Sequence, residues 1–404
     1  MTNHPFIPIL IGTDMNAYNM AISFHEQYGI RPILVGKEPL SFTRLSSITT
    51  TIELNKNLPD RKVFVSFLKE IAAKYREDGK KFILIGTNDL YVRMIIENKD
   101  ALKEDFVFNY IDEPLMNDLL VKSNFYQLCA EHGIDTPATY YYSCKSDELF
   151  EDEVMFPVII KPSNGVQYYK NPFEGMQKVY KVHSYEEIHS VIETIKASGY
   201  REDLIIQDFI PGDDTYMWDS VFYINSKGKT ELITFAQVVL QEHTMTAIGN
   251  YTALITRFNE EVMMKLKGFL EAVNYVGYAN FDLKYDERDG KFKVFEVNIR
   301  QGRSSYYITS CGHNMAKYFV DDLVYDQEKP LTLLKEKFLF TVVPKIVLKK
   351  FVKNREIRNE VKSLLRQKKF ANPLFYKNDR HLKRKLYLFA RQINYYRKYK
   401  NSQW

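Results

Sequence analysis

The stretch FEVNIRQGRSSYY, residues 295–307, places an acid, an amide and a base on one side of an extended segment. Phe295, Val297 and Ile299 alternate with Glu296, Asn298 and Arg300, the period of two expected of a half-buried strand. Side chains two positions apart on a strand project from the same face, roughly 7 Å apart by rise alone. Glu296 and Asn298 can therefore offer oxygens to one hard cation. Mg2+ takes a few protein oxygens and completes its shell with water or phosphate. Arg300, next on that face, suits a phosphate or carboxylate oxygen, which a guanidinium binds as a fork. Gly302 ends the strand, and Arg303, Ser304 and Ser305 follow at once. Taken alone, the same residues also describe an exposed edge strand with a surface ion pair.

A second acid comes from the preceding strand. YANFDLKYDERDGKFKVFEVNIR predicts a hairpin turning at Asp289-Gly290. Asp282 stands seven residues before Asp289 and Glu296 six after Gly290, so cross-strand pairing brings the two carboxylates together. Asp282, Glu296 and Asn298 then form an oxygen cage. Two like charges side by side raise a pKa unless a cation lies between them. Two carboxylates and an amide leave positions open for phosphate oxygens, the usual environment of nucleotide-bound Mg2+, and Mn2+ suits the same donors.

The rest of the chain must position these groups. At 404 residues it exceeds one ordinary core, so two or three domains are expected. Hydrophobic residues at 45% and charged residues at 26% indicate a soluble globular protein. No apolar stretch approaches the roughly 18–20 residues of a membrane span. The beginning, MTNHPFIPILIGTD, reads straight into a strand rather than a secretory signal. Three cysteines (Cys129, Cys144, Cys311) without metal spacing indicate buried thiols in a reducing cytoplasm. Eight histidines without an HxH or HxxxH pair give no zinc site.

Strands alternate with helices over residues 1–115, which predicts an open parallel sheet of Rossmann-like type. Asp14 or Thr13 caps its first helix and Gly29 ends it. No Gly-x-Gly-x-x-Gly fingerprint follows Ile11, so the sheet gives no warrant for a dinucleotide. A helix is expected over residues 117–131, then strands at 158–160 and around 205–209. A hairpin over 215–240 turns at Ser226-Lys227-Gly228.

Lys122, Lys161 in VIIKP, IIQDFIPGDD, Asp282 in NFDLKYD, and FEVNIRQG follow one another as in the ATP-grasp superfamily, which this chain resembles over residues 1–325. The resemblance implies an α/β and α+β architecture. Its parts would be a Rossmann-like pre-grasp domain (1–115), a small lid subdomain (116–200), a C-terminal subdomain with the Mg/ATP site (201–330) and a basic helical extension (331–404). It also implies an ATP-dependent ligase that phosphorylates a carboxylate and joins it to an amine. On this match Lys122 and Lys161 contact ATP phosphates, and a loop over 163–175 containing Ser163 and Gly165 covers them. Lys178 is a further phosphate contact. Gln207, Asp208, Phe209 and Ile210 read adenine, with Gln207 where many relatives have Glu, and Asp214 binds ribose. Asp282, Glu296 and Asn298 hold Mg2+. Arg300 and Lys161 act on the transferring phosphoryl group, and Arg303, with Ser304 and Ser305, docks a substrate carboxylate. FIPILIGTDMNAYNMAISFHEQYGI and VNIRQGRSSYYI are similar to the D-aspartate ligases of Gram-positive peptidoglycan synthesis. That likeness implies D-aspartate and an amine-bearing peptidoglycan precursor as substrates. Other amino-acid or dipeptide ligases, and a non-catalytic module defined by the tail, stay open beside it.

The tail is the last feature. Residues 345–404 hold nineteen Lys/Arg against three Asp/Glu, a net +16, which leaves −11 for the preceding body. Basic residues interleave with Leu, Phe and Tyr in helical spacing. The tail can lie on an anionic membrane surface, at the inner face, or bind nucleic acid, although no nucleic-acid fold accompanies it. It can equally pack as a solvated helix against the acidic body.

Overall fold

The structure is a computed structural model and describes residues 4–163, 165–243 and 249–402. The chain forms two compact units. One comprises Met1–Val121, Asp213–Leu283 and Glu296–Trp404, and the other Lys122–Gly212 with Lys284–Phe295.

The first unit opens on a five-stranded parallel sheet. Phe6–Ile11 pairs with Ile33–Gly36 on one side and Lys81–Gly86 on the other, and Thr51–Leu54 and Phe106–Val107 close the edges. The inner strands are almost wholly buried, as parallel strands covered on both faces must be. Asp14 caps the helix Met15–Tyr28 by accepting from the Ala17 N–H at 3.0 Å, and Gly29 ends it in the left-handed region at φ 67°. Residues 15–24 of this helix are buried on every side, polar Asn16, Asn19 and Ser23 included.

A larger sheet, in this unit except for residues 284–295, runs in the order Lys291–Asn298, Gly277–Asp286, Met217–Ile224, Phe235–Gln241, Tyr251–Arg257, Leu339–Thr341, Phe370–Ala371. The hairpin expected over 215–240 has a divided second arm. Met217–Ile224 pairs first with Thr230–Ile233 and then with Phe235–Gln241. Thr234 separates the two; its N–H is held by the Val221 carbonyl at 2.9 Å and its hydroxyl by Tyr307 at 2.7 Å.

The basic tail is folded into the first unit. Leu348, Leu364, Leu374, Leu388, Tyr395 and Tyr399 belong to the same core as Phe6, Tyr18 and Leu254. Arg384, only 1% exposed, lies 2.9 Å from Asp379, and its guanidinium stacks 4.0 Å over the Tyr18 ring. Asp379 also accepts from the Tyr18 hydroxyl at 2.8 Å and the Ser47 N–H at 2.9 Å.

The second unit is built on a four-stranded antiparallel sheet in the order Thr139–Ser143, Asp203–Asp208, Val158–Pro162, Tyr180–Val182. Tyr142, Ile160, Leu204 and Ile206 pack there against Ile188, Ile192 and Ile195 of the helix Tyr185–Ala197. The single helix expected over 117–131 is two. Glu113–Leu120 stops at Val121, whose backbone is extended (φ −82°, ψ 112°), and Lys122–Glu131 begins afresh. The break coincides with the boundary between the units, so a continuous apolar period concealed a change of direction.

Burial opposes ionisation of Asp379, yet hydrogen bonds from Ser47 and Ser46 and the charge of Arg384 outweigh it and hold its carboxyl below the ordinary value. Asp379→Ala should therefore destabilise the protein by about 3–5 kcal/mol, the cost of stranding a buried partner, whereas exposed Lys383→Ala should change stability by less than about 0.5 kcal/mol. The Asp379 contribution should be present in full above about pH 4 and disappear as pH falls through its depressed pKa. Denaturant unfolding of both variants across pH 3–7 measures this.

Candidate active site

The hairpin of Gly277–Asp286 and Lys291–Asn298 carries the expected acids on adjacent strands. Its four-residue turn is closed by the Gly290 N–H donating to the Asp286 carbonyl at 2.8 Å. Asp282 accepts from the Asn298 amide at 3.1 Å and hydrogen-bonds the Tyr251 hydroxyl. Loss of water around Asp282, then repulsion from Glu296 and from Asp219, pushes its pKa well above the ordinary carboxylate value. The three residues are thus gathered. Their chemistry fits a hard divalent cation: oxygen donors only, with one carboxylate driven toward its protonated form for want of positive charge. Among the described residues no group of three or more His, Cys, Asp or Glu is placed to hold a metal; the set here is two carboxylates and an amide. That amide now bridges. Its nitrogen faces Asp282, and its oxygen accepts from Arg300 at 3.2 Å.

Beneath this surface lies a group that sequence reasoning did not single out. Asp219 is fully buried and accepts from Asn280 at 2.6 Å and Tyr307 at 2.9 Å. Burial raises its pKa to about 6 against those two hydrogen bonds. No spacing rule marks it, because its partners come from strands and a helix far apart in the chain. A side chain at Gly302 would collide with the Asn280 amide oxygen of this network, which explains the glycine after the strand.

Arg300 is gripped rather than loose. Its Nε and Nη2 donate to Asp89 at 2.7 and 2.9 Å, and Nη1 donates to the Gln301 carbonyl at 3.1 Å. Arg303 differs. Its backbone carbonyl is fixed by Asn19 at 2.9 Å, and Asn16 fixes the Gln301 carbonyl at 3.0 Å, which accounts for the buried amides of the first helix. Its guanidinium makes no hydrogen bond or ion pair among the described residues.

Arg300 and Arg303 line a cavity of about 280 Å3 together with Asp14, Asn16, Phe42, Thr87, Asn88 and Asn250. Burial raises the Asp14 pKa, opposed by its hydrogen bond from Ala17 and then by the charges of Arg300 and Arg303. Tail residues contact one of the lining residues, Phe42. The Arg391 guanidinium lies 4.4 Å over the Phe42 ring, and Arg384 donates to the Phe42 carbonyl. Ser304 and Ser305, expected to dock a carboxylate beside Arg303, are instead 4% and 1% exposed, outside the cavity lining. Of the residues that do line it, Phe42, Thr87, Asn88 and Asn250 come from segments that gave no motif.

Asp214 is held by three donors: the Gln241 N–H at 3.1 Å, the Gln241 amide at 2.8 Å and His243 at 2.8 Å.

The second unit holds the expected nucleotide contacts. Lys122 stands in the first turn of the helix Lys122–Glu131, where helix dipole and ammonium both favour an anion. Lys161 is the penultimate residue of the strand Val158–Pro162 and donates to the Gln207 side-chain oxygen at 3.0 Å. Gln207 is fully buried, and its nitrogen donates to Tyr126 and Thr139 at 3.0 and 2.8 Å. Its amide therefore orients Lys161. Asp208 pairs with Arg288, which also grips Asp286 at 2.7 Å. The Phe209 ring lies under Lys181 at 3.8 Å, and Ile210 is buried. Ser163 and Lys178 are exposed; Gly165 opens the short helix Gly165–Tyr169.

No protein-family model matches the chain. It is 34% identical over 415 residues to a D-aspartate ligase of Enterococcus faecium (strain Aus0004), an alignment covering 98% of this chain and 97% of the relative. The chain belongs to the D-aspartate ligase family. Among solved structures, this ligase resembles an L-amino acid ligase from Bacillus licheniformis (TM-score 0.57, 14% identity, 80% of this chain and 75% of that one). It also resembles an N5-carboxyaminoimidazole synthetase from Staphylococcus aureus, solved with ADP (TM-score 0.57, 11% identity, 83% and 84%). At such identities the likeness establishes the fold, which is ATP-grasp. The D-aspartate ligase-family protein is accordingly an ATP-dependent carboxylate–amine ligase.

An acid with a raised pKa keeps its proton when folded over a pH range where the unfolded chain has lost it. Asp282 therefore lowers stability as pH climbs from about 4 toward its folded pKa. With a chelator present, Asp282→Asn should melt above the wild type at neutral pH, and the gap should close below about pH 4. Added Mg2+ should raise only the wild-type midpoint. Coincident melting curves at every pH would remove the charge-repulsion account of this site.

Proposed function

We propose that this ligase uses ATP to activate the β-carboxylate of D-aspartate and joins it to the lysine side-chain amine of a peptidoglycan precursor. The observation carrying this reading is the cavity in which Arg303 presents a guanidinium that makes no hydrogen bond or ion pair among the described residues, next to Arg300, whose guanidinium donates to Asn298. A dicarboxylic substrate needs one carboxylate held while the other reacts, and a fork of two N–H donors holds it well. The name of the Enterococcus relative supports the same substrate.

In the proposed reaction a substrate carboxylate oxygen takes the γ-phosphoryl group of ATP and ADP leaves. The amine nitrogen then attacks the acyl carbon, phosphate departs, and the nitrogen gives up a proton. Lys122 and Lys161 bind phosphate oxygens, with Lys178, Ser163 and Gly165 as further contacts. Gln207 keeps Lys161 aimed. Asp208, Phe209 and Ile210 bound the adenine, and Asp214 takes the ribose. Asp282 and Glu296 hold Mg2+, or Mn2+, and Asn298 joins them once its amide turns, since its nitrogen and oxygen are nearly interchangeable in shape. The cation supplies charge at the phosphate oxygens where the transferring group becomes more negative. Arg300, fixed by Asp89, adds a stationary positive charge to the same region. The reaction belongs in the cytoplasm, where ATP is available.

The decisive assay follows phosphate release with ATP, Mg2+ and an amine-bearing muropeptide, offering D- or L-aspartate. Release is expected with the D isomer only, and inactivity with both isomers would end the substrate assignment while leaving the ligase chemistry. Activity with pairs of free amino acids instead would reassign the acceptor. Glu296→Gln should preserve the strand yet slow turnover by about two to three orders of magnitude. Arg303→Ala should leave the KM for ATP in place and raise that for the acid by roughly thirty-fold, one charge-assisted contact. Steady-state kinetics varying each substrate in turn separates the two effects.

A further inference from the structure

The C-terminal helix Leu382–Asn401 has two apolar faces, and the core covers only one. Arg384, Leu388, Tyr395 and Tyr399 are buried against the first unit. Leu382, Leu386, Phe389 and Ile393 are 70%, 66%, 67% and 44% exposed. Their spacings of four, three and four place them on one stripe, roughly 140° around the helix from the buried side chains at 3.6 residues per turn. A lone exposed leucine needs no explanation, but a continuous stripe of large apolar side chains on a water-facing surface does. Lys383, Lys385, Arg397 and Lys400 are exposed beside it, and the helix contains no Asp or Glu.

We propose that this face docks on an anionic lipid bilayer, with the apolar stripe entering the headgroup boundary and the flanking cations meeting lipid phosphates. Charge chooses the occupant. A second copy docking stripe to stripe would bring two sets of cations together, and a nucleic-acid backbone offers nothing to four aliphatic and aromatic side chains. An anionic bilayer satisfies both features at once. The helix lies on the surface rather than crossing it, because among the described residues no helix is long and apolar enough to span a membrane. The opposite face stays anchored in the core, so docking needs no unfolding. This inference does not rest on the substrate assignment.

Co-sedimentation of the full-length protein with vesicles tests it, using phosphatidylcholine alone or mixed with phosphatidylglycerol. The wild type should pellet with the anionic vesicles only, and less as salt rises. Leu386→Glu/Phe389→Glu should lower the apparent affinity by at least about ten-fold, and Lys383→Ala/Lys385→Ala should weaken binding and flatten its salt dependence. All side chains changed are exposed, so melting temperature and ADP release in solution should match the wild type. Wild type left in the supernatant with both vesicle types overturns the proposal, as does unchanged binding by the glutamate variant. A wild-type dimer that the glutamate substitutions dissociate, without vesicle binding, overturns it in favour of a second copy.

Discussion

The arrangement is governed by a shortage of positive charge. Two carboxylates, Glu296 and Asp219, lie close enough to Asp282 on one sheet to add to the effect of its burial and raise its proton affinity. The protein answers with neutral donors where water cannot reach: Asn280 and Tyr307 for Asp219, Tyr251 and Asn298 for Asp282. Such donors lessen the cost of buried charge without cancelling it. The remainder is what the proposed cation would neutralise.

Positive groups elsewhere are treated in the opposite way, each held by a neighbour that limits where it can go. Gln207 accepts from Lys161, Asp89 forks Arg300, and two carboxylates grip Arg288. A neutral amide beside Lys161 orients the ammonium without neutralising it, as a glutamate there would. Among the described residues Arg303 is steadied through its backbone alone, by buried Asn19. A guanidinium kept still by its main chain keeps its charge available to a ligand.

How far the sequence disclosed this depends on the range of the interaction. The period of two in FEVNIR and the Asp289-Gly290 turn are local, and they placed Asp282 beside Glu296 and Asn298. Asp14 and Gly29 likewise bounded the first helix by capping chemistry alone. The break at Val121 was hidden because apolar spacing runs through it while the chain changes direction. Short edge strands such as Thr51–Leu54 carry too few residues to show a period. Asp219, Asp89 and Phe42 acquire their roles only from partners distant in sequence, and Ser304 and Ser305 read as groups facing a substrate because nothing local reveals their burial. The tail's composition described its charge correctly but said little of its inner face, where Tyr395 and Tyr399 complete the core.

That inner face also bears on how the molecule comes into being. Tyr18, on the first helix, hydrogen-bonds Asp379 across 361 residues of sequence. A ribosome must deliver nearly the whole polypeptide before this contact can form, and loops of such length close slowly. The core of the second unit lies wholly within Lys122–Gly212 and is synthesised much earlier, although Lys284–Phe295 of that unit follows later. The emerging chain therefore carries an inner section with its core already made between two halves of an unfinished one. Until the last helix arrives, the apolar surface around Tyr18 and Leu254 remains open to water and to other nascent chains.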